Sequence, residues 1–270
     1  MRPICFLSDF GLTDDFVGSC KGVMLGLARE APILDVTHEV PGFEVEAGAE
    51  ILEHATRYMP GDSVYLAVVD PGVGTRRKAL ALETESGALM VGPDNGLLMP
   101  AARALGGISR AVTLTNERYR VHPVSNTFHA RDIFAPAAAH LAAGTDIESL
   151  GETVDPSSLE NLGLPGTEWI DGKGVLARII SIDHFGNARL SIFEDEASLA
   201  YETTLLVDTG DGDMAVRYAK TFGEARTGEL ILVPDSHWRL SLAINKGNAA
   251  HALALRVGGT VRLFFSNDRA

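Results

Sequence analysis

The first 70 residues alternate between short apolar runs and amphipathic stretches, and this alternation restricts the fold more than any other feature. Apolar runs at 4–7, 33–36 and 64–69 have the length of buried strands, whereas 14–29 and 45–58 have helical spacing. Parallel strands need a long crossover connection, so this order of elements is typical of a parallel sheet covered by helices. The sequence therefore predicts an α/β domain at the N-terminal end.

Polar residues indicate where the helices of this domain begin. Thr13 is a suitable N-cap, and Asp14 and Asp15 would then occupy the first turn, where carboxylates suit the helix dipole. In a further helix predicted over 131–141, Pro136 either causes a kink or marks the true start. Further strands are predicted at 78–83, 88–91 and 111–114.

The character of the sequence changes from about residue 145. The segment 145–174 is rich in glycine, proline and acidic residues, and short apolar runs between turn signals follow it. Such runs predict a small β-barrel or sandwich. We expect an α/β domain with a central, largely parallel sheet over 1–160, a linker over 161–172, and a smaller all-β, barrel-like domain over 173–270.

Charge and hydropathy exclude several classes of protein. With 23 basic and 36 acidic residues the formal net charge is −13, which disfavours non-specific binding to nucleic acid. No stretch approaches the roughly 20 apolar residues of a membrane span, and the run at 4–7 is too short for a signal peptide. The two cysteines indicate a reducing compartment rather than a disulfide framework. We therefore expect a cytoplasmic protein of the size of an enzyme, without nucleic-acid or membrane partners.

Four polar clusters are candidates for a ligand site. Three follow predicted strands and one precedes a predicted helix, at residues 8–11, 70–74, 92–96 and 127–131. Each alone is also what an ordinary turn uses. Ligands of parallel α/β sheets bind beyond the carboxyl ends of the strands, so together the clusters predict a shared pocket.

His129 is the best candidate for a base among the eight histidines. It precedes a predicted helix, whose dipole disfavours the imidazolium, although a neighbouring carboxylate would act in the opposite direction. His129, Asp9 and Asp70 are residue types that bind metals, but they lack compact ligand spacing, so no metal site is expected. The acidic segment 208–213 lacks the ligand register of a calcium loop and predicts a hairpin turn.

Six sequence blocks occur in order over almost the whole chain. They are "SDFGLTDDFVGSCKGVM", "VVDPGVGTRR", "GPDNGLL", "TFHARDIFAPAAAHLAAG", "DHFGNARL" and "INKGNAA". Together they resemble the S-adenosyl-L-methionine (SAM) hydroxide adenosyltransferase family, the SAM hydrolases, which are relatives of fluorinase and chlorinase. The resemblance implies hydrolysis of SAM to adenosine and L-methionine without a cofactor, by attack of water or hydroxide in line on the ribose 5′-carbon. It also implies a homotrimer that holds SAM between the N-terminal domain of one subunit and the C-terminal domain of its neighbour.

The same resemblance assigns roles to individual residues. Asp70, Arg77 and His129 match a catalytic triad, in which either His129 takes the proton of water or Asp70 and Arg77 polarise and position it. Arg76 adjoins Arg77, and only the matching position selects between them. The substrate-binding matches are Asp9 for the ribose diol, Asp14 and Ser236 for the methionine amino and carboxylate groups, Phe185 and Asn187 for adenine, and Asn95 and Asn245 in the remaining segments.

Departures from the halogenating relatives favour hydroxide over halide. Those relatives carry tyrosine at the position of Asp70, serine or glycine at Ala130, and an insertion before the block that contains "NGLL". A carboxylate at position 70 would repel a halide ion. His237 replaces an arginine of those relatives, so the partner of the methionine carboxylate stays open. Two alternatives also stay open: a halide-using SAM enzyme, and a non-catalytic protein that binds SAM or adenosine.

Overall fold

The computed structural model describes residues 1–163, 167–170, 174–210 and 212–265. By contacts between Cα atoms the chain divides into two compact units, Met1–Gly163 and Leu164–Ala270. No helix in the described residues has the length and apolar character needed to cross a membrane. Of the predicted linker 161–172, residues 164–166 and 171–172 lie outside the described residues.

The first unit contains a seven-stranded sheet with helices on both faces. Its elements are β1 Ile4–Ser8, α1 Phe16–Leu27, β2 Ile33–Thr37, α2 Val45–Thr56, β3 Val64–Val68, β4 Ala79–Thr84, β5 Leu89–Pro93, α3 Met99–Ala104, β6 Ile108–Thr113, a π-helix Ala130–Phe134, α4 Ala135–Ala142 and β7 Glu152–Thr153. The strand order is β2-β1-β3-β5-β4-β6-β7. Strands β2, β1, β3 and β5 are parallel, and β4, β6 and β7 add antiparallel pairs. The predicted α/β domain with a central parallel sheet is thus confirmed.

Alternating side chains of the central strands supply two separate cores. Ile4 and Phe6 of β1 belong to the core shared with α1 and α4, whereas Cys5 and Leu7 belong to the core shared with α2 and α3. All four are fully buried. Successive side chains of a strand point to opposite faces, which explains why a strand covered on both faces is a continuous apolar run.

The first helix starts later than the sequence predicts. It begins at Phe16 with Asp15 in the N-cap position, so Thr13 is not the cap and Asp14 lies outside the helix. The ring of Phe16 packs against Phe10 and Phe128, with centroid distances of 6.1 and 5.0 Å. This tertiary contact, which local capping preferences do not include, accounts for the later start.

Pro136 and the irregular stretch after residue 145 both take definite positions in the first unit. Pro136 lies in the first turn of α4, and the π-helix leads directly into that turn, so the helical backbone begins at Ala130 and the proline marks the change from π-helix to α-helix. After residue 145 the chain forms two short 3₁₀-helices, Ile147–Leu150 and Pro156–Ser158, on either side of β7. Leu159 packs into the core shared with α2 and α3. The irregular stretch predicted from about residue 145 therefore belongs to the first unit up to at least this point.

The second unit is a closed seven-stranded β-barrel, as the sequence predicts. Its elements are β8 Glu168–Ile170, β9 Gly174–Ile182, β10 Ala188–Phe193, α5 Glu194–Ala197, β11 Thr204–Asp208, β12 Asp213–Tyr218, β13 Leu230–Pro234, β14 Arg239–Ile244, α6 Ala249–Ala252 and β15 Thr260–Phe264. The order is β10-β14-β13-β12-β11-β15-β9, and pairing of β9 with β10 closes the barrel. Strand β8 extends the sheet beyond β9.

Inward-facing residues at every second position fill the barrel. Examples are Leu190 and Ile192 of β10 and Val261 and Leu263 of β15, all fully buried. The predicted acidic turn at 208–213 joins the antiparallel pair β11 and β12, and its residue 211 lies outside the described residues.

Candidate active site

Asp9 and Asp70 lie at the same edge of the sheet in the first unit. They follow the parallel neighbours β1 and β3, in which Ser8 is paired with Val68. With His129 they line a cavity of about 130 Å³. The other lining residues are Phe10, Phe43, Val68, Val73, Thr127, Phe128 and Ala130. Three of the four polar clusters thus meet at the carboxyl ends of parallel strands.

The side chains of Asp70, Arg77 and His129 are in direct contact. Arg77 Nε donates to Asp70 Oδ1 and Oδ2 at 2.9 and 3.0 Å, and Arg77 Nη2 donates to Oδ2 at 2.5 Å. The same Nη2 donates to His129 Nδ1 at 3.0 Å. The ion pair is nearly closed to solvent, with exposed side-chain fractions of 10% for Arg77 and 6% for Asp70. Arg76 is exposed, so Arg77 is the arginine that contacts both partners.

The contact with Arg77 fixes the tautomer of His129. A guanidinium only donates hydrogen bonds, so Nδ1 must accept and a neutral ring carries its proton on Nε2. Burial, followed by the charge of Arg77, lowers the pKa of His129 below 6.5, while Asp70 opposes this shift. The ring is therefore neutral at pH 7 and can offer Nε2–H as a hydrogen-bond donor.

A glycine allows the two segments of the triad to approach each other. Gly74, at φ +75°, lies between Asp70 and Arg77, and a Cβ there would be 2.4 Å from the carbonyl oxygen of Asn126. Asn126 immediately precedes the segment that carries His129. Any larger residue at position 74 must displace one of these two segments.

Asp14 and Asn95 do not line this cavity. Asp14 is exposed in the bend before α1. Asn95 lies behind the site, where Nδ2 donates to the carbonyl oxygen of Val69 at 2.8 Å and Oδ1 accepts from the backbone N–H of Leu97 at 3.2 Å. Asn95 thus supports the backbone directly before Asp70.

The barrel unit has two cavities that share three residues. They have volumes of about 240 and 380 Å³ and both contact Phe185, Asn187 and Phe222. The smaller cavity is also lined by Ser181, Asp183, Arg189, Pro234, Asp235, Ser236 and Ser241. The larger is also lined by Ile244, Asn245, Lys246 and Gly247. The predicted residues Phe185, Asn187, Ser236 and Asn245 therefore lie in neighbouring cavities.

A compact turn presents Phe185 and Asn187. Asp183 Oδ1 accepts from the backbone N–H groups of both residues at 2.9 Å, and Asp183 Oδ2 accepts from Asn187 Nδ2 at 2.8 Å. The ring of Phe185 is left 72% exposed. The carboxylate can only accept, so it orients the amide and leaves Asn187 Oδ1 available as an acceptor.

Asp235 anchors the other side of the smaller cavity. It forms an ion pair with Arg189, and its Oδ1 accepts from the backbone N–H groups of His237 and Arg239 at 2.8 and 3.1 Å. Burial alone would raise the pKa of Asp235, but Arg189 and these donors hold it below its usual range. In the larger cavity Asn245 Nδ2 donates to the carbonyl oxygen of Ala225 at 2.7 Å.

Several lining residues are not identified by sequence reasoning. In the first unit Phe43 is such a residue, and in the barrel they are Asp183, Arg189, Phe222 and Asp235. Phe43 lies in a turn and Phe222 in a three-residue 3₁₀-helix, so no periodicity marks them as exposed. Asp183 and Arg189 flank the "FGN" sequence and could have been selected by that position. Among the described residues no group of three or more His, Cys, Asp or Glu side chains could hold a metal ion.

The fold and these cavities define a class: a protein with an α/β unit carrying an acid, arginine and histidine cluster, followed by a β-barrel unit. Models of the N-terminal and C-terminal domains of SAM hydroxide adenosyltransferase match residues 4–151 and 177–262. The chain belongs to the SAM hydroxide adenosyltransferase family.

Individual relatives agree with this assignment. The chain is 44% identical to a protein of Salinispora tropica named (R)-S-adenosyl-L-methionine hydrolase, with 96% of this chain and 97% of the relative covered. A fluorinase of Actinoplanes sp. is more distant, at 29% identity with 96% of each chain covered. A crystal structure of an uncharacterized conserved protein from Thermotoga maritima superposes with a TM-score of 0.89 at 35% identity, covering 97% of this chain and 99% of that one.

Proposed function

We propose that this protein hydrolyses SAM to adenosine and L-methionine. The observation that carries the proposal is the contact of Asp70, Arg77 and His129 beside a cavity that Asp9 also lines. Family membership and the name of the Salinispora tropica relative support the same reaction. The substrate brings its own leaving group and water is the nucleophile, so the proposed reaction requires no cofactor.

In the proposed reaction the nucleophile needs catalytic help, and the leaving group does not. The bond from C5′ to sulfur breaks, its electron pair stays on sulfur, and methionine leaves as a neutral thioether that needs no general acid. Water forms the new bond to C5′ and must lose a proton. Alignment of the reacting atoms in a closed site is worth roughly 7–11 kcal/mol, whereas a positioned base contributes roughly 10²–10⁴-fold.

We assign the proton acceptor to Asp70 rather than to His129. A carboxylate has about four lone-pair sites, and three contacts from Arg77 leave room for a water molecule. His129 has its Nδ1 lone pair directed to Arg77 and its proton on Nε2, so it donates to the water oxygen and orients it. Arg77 holds both partners, and its charge favours hydroxide character.

The remaining predicted residues are assigned to parts of SAM. Asp9 accepts hydrogen bonds from the ribose diol, and the exposed ring of Phe185 stacks on adenine while Asn187 Oδ1 accepts from its amino group. The methionine groups and the remaining contacts are assigned to Asp14, Ser236, Asn95 and Asn245, the last of which lines the larger barrel cavity. Asp14 and Asn95 lie outside the described cavities, so these two assignments depend on the resemblance alone.

We also propose a cytoplasmic homotrimer in which each site uses the first unit of one subunit and the barrel of its neighbour. The cavity beside Asp70 has about 130 Å³, below the roughly 300–1,000 Å³ typical of small-molecule sites. Each half-site also exposes an aromatic ring, Phe43 at 75% and Phe185 at 72%. Large exposed rings beside partial cavities support coverage by another surface.

Separation of the nucleoside products tests the reaction. The purified protein is incubated with SAM in ¹⁸O-labelled water, with and without chloride or fluoride, and S-adenosylhomocysteine serves as a substrate control without the sulfonium. We expect adenosine labelled at its 5′-oxygen, no 5′-halo-5′-deoxyadenosine, and no reaction of S-adenosylhomocysteine. Asp70→Asn should keep SAM affinity within a few-fold and lower turnover by about 10²-fold or more.

Two other results would refute the hydrolase assignment. Halide-dependent formation of a 5′-halo nucleoside would identify a halide-using enzyme. SAM binding without release of adenosine would identify a non-catalytic binder.

A further inference from the structure

A series of hydrogen-bonded polar side chains, separate from the triad, runs from the surface of the first unit into its core, next to Asp9. Lys21 Nζ contacts Asp35 Oδ2 at 2.6 Å, Asp35 Oδ1 contacts His38 Nε2 at 3.1 Å, and His38 Nδ1 contacts Ser8 Oγ at 2.7 Å. Lys21 and Asp35 are partly exposed, with side-chain fractions of 32% and 45%. His38 and Ser8 are buried, at 3% and 0%.

The sequence of serine, histidine and aspartate resembles a hydrolytic triad, but burial excludes that activity. Ser8 has no exposed surface, so no substrate can reach its hydroxyl. A chain of buried polar groups at this position must therefore serve the structure around it.

The donor and the acceptor of each hydrogen bond in this series follow from the protonation of Asp35, near the exposed end of the series. Although burial opposes it, hydrogen bonds from Lys21 and His38 hold the pKa of Asp35 low, so this carboxylate only accepts. His38 Nε2 must then donate, and in the tautomer with its proton on Nε2 the Nδ1 atom accepts from the Ser8 hydroxyl. The remaining lone pairs of Ser8 Oγ face the backbone N–H of Phe10 at 3.5 Å.

The series of hydrogen bonds from Lys21 to Ser8 ends at the turn that carries Asp9. The backbone N–H of Phe10 belongs to the peptide that follows Asp9, and the N–H of Gly11 donates to the carbonyl oxygen of His38 at 2.8 Å. On the other side, Asp9 Oδ2 accepts from the backbone N–H of Phe43 at 3.0 Å. The backbone that follows Asp9 and the carboxylate of Asp9 are thus both connected to the segment 38–43.

We infer that His38 is a positioning residue that, through Ser8, fixes the turn carrying Asp9 so that its carboxylate faces the ribose diol. This inference rests on the proposed function. His38 touches no substrate in this assignment. Its effect is on how well SAM and adenosine bind, because a displaced Asp9 loses an interaction made equally in the ground state and the transition state.

Steady-state kinetics separate positioning from a merely structural role. We expect His38→Ala to raise KM for SAM about 10-fold with kcat within twofold of wild type. Ser8→Ala should give the same shift, because it removes the link between His38 and Phe10. His38→Asn should restore most of the affinity, because its side-chain oxygen can accept from Ser8. His140→Ala is the control, since that ring packs on Tyr119 away from the cavity, and KM should not change.

A double variant tests whether the effect passes through Asp9. Adding His38→Ala to Asp9→Ala should raise KM no further. A full additional 10-fold rise would overturn the inference, as would an unchanged KM in whichever of His38→Ala or Ser8→Ala folds. A fall in kcat with a constant KM would indicate only a smaller folded fraction and would also overturn it.

Calorimetry with adenosine compares the same variants without turnover. The dissociation constant should rise about 10-fold in His38→Ala and Ser8→Ala and stay unchanged in His140→Ala. If wild type releases no adenosine from SAM but this pattern holds, the proposed reaction fails and the positioning role stands. If wild type hydrolyses SAM and neither constant moves in the His38 variants, the positioning role fails alone.

Discussion

The hydrogen bond from Arg77 Nη2 to His129 Nδ1 determines how the site responds to pH. Protonation of His129 would place a second donor against the guanidinium, and burial with the Arg77 charge already lowers the pKa of this ring below 6.5. The neutral, orienting form therefore predominates above pH 6.5 and is lost as pH falls through the lower, folded-state pKa. We expect kcat to reach a plateau at neutral pH and to fall on an acid limb with an apparent pKa below 6.5.

The variant His129→Asn tests the assignment of this limb. Its side-chain oxygen can accept from Arg77, but it cannot be protonated and it lacks the distal donor. We expect kcat to fall about 10²-fold while KM changes little, and the acid limb due to position 129 to disappear. An acid limb that is unchanged in His129→Asn would show that His129 does not cause it and would contradict the assignment.

For individual residues, the sequence predicts which residues lie at the site better than it predicts which side chains are in contact. Asp9, Asp70 and His129 could be selected because they follow strands or precede a helix, and those elements are predicted correctly. The contact between Arg77 and His129 joins residues 52 positions apart, and no local pattern encodes it. The hydrogen bond between the buried residues Ser8 and His38 is not predicted either, because each residue alone resembles the end of a strand.

The loop after β3 and the segment before the π-helix act as one catalytic element because they touch at Gly74. We expect Gly74→Ala to lower kcat about 10²-fold, because its Cβ would meet the carbonyl oxygen of Asn126 at 2.4 Å and displace the segment that carries His129. Alanine is also disfavoured at φ +75°. Gly87→Ala is the matched control, since Gly87 also has a positive φ, +84°, and nothing lies within 4 Å of a Cβ there.

Thermal unfolding distinguishes the two costs of Gly74→Ala. A loss of about 1 kcal/mol from backbone strain alone would lower Tm by a few degrees and leave kcat per folded molecule unchanged. That result would contradict the coupling between the two segments. A lower kcat at a temperature where both variants are fully folded supports it.

Strands and helices could be predicted from periodicity, whereas their ends depended on tertiary contacts. The barrel strands are predictable because short apolar runs alternate with turns, and their pairing into a closed ring follows from covering every edge. The start of α1 is not predictable from local sequence, because the ring of Phe16 packs on Phe128, more than a hundred residues away. The order of the antiparallel strands β4, β6 and β7 depends on such distant pairings as well.

At the scale of the whole molecule, two properties bear on the proposed function: the net charge and the proposed assembly. The net charge of −13 favours the approach of a cationic sulfonium substrate and disfavours polyanions. The two sets of cavities lie in separate units, and each presents only part of the proposed SAM contacts. The proposed site draws on a first unit and a barrel, and the identity of the chain that supplies each is open to a direct test.

Mixed oligomers decide which chain supplies the barrel. Subunits with Asp70→Asn retain an intact barrel, and subunits with Phe185→Ala and Asn187→Ala retain an intact triad, so each parent should be nearly inactive at SAM concentrations below the wild-type KM. If neighbours share sites in a homotrimer, co-expressed subunits in equal amounts should form wild-type sites at about a quarter of positions and recover a corresponding fraction of activity. A subunit carrying all three substitutions is the control: it supplies neither an intact triad nor an intact barrel, so co-expression with either parent should give no recovery of activity. Recovery no greater than the sum of the parents, together with a monomeric mass in solution, would contradict the shared site.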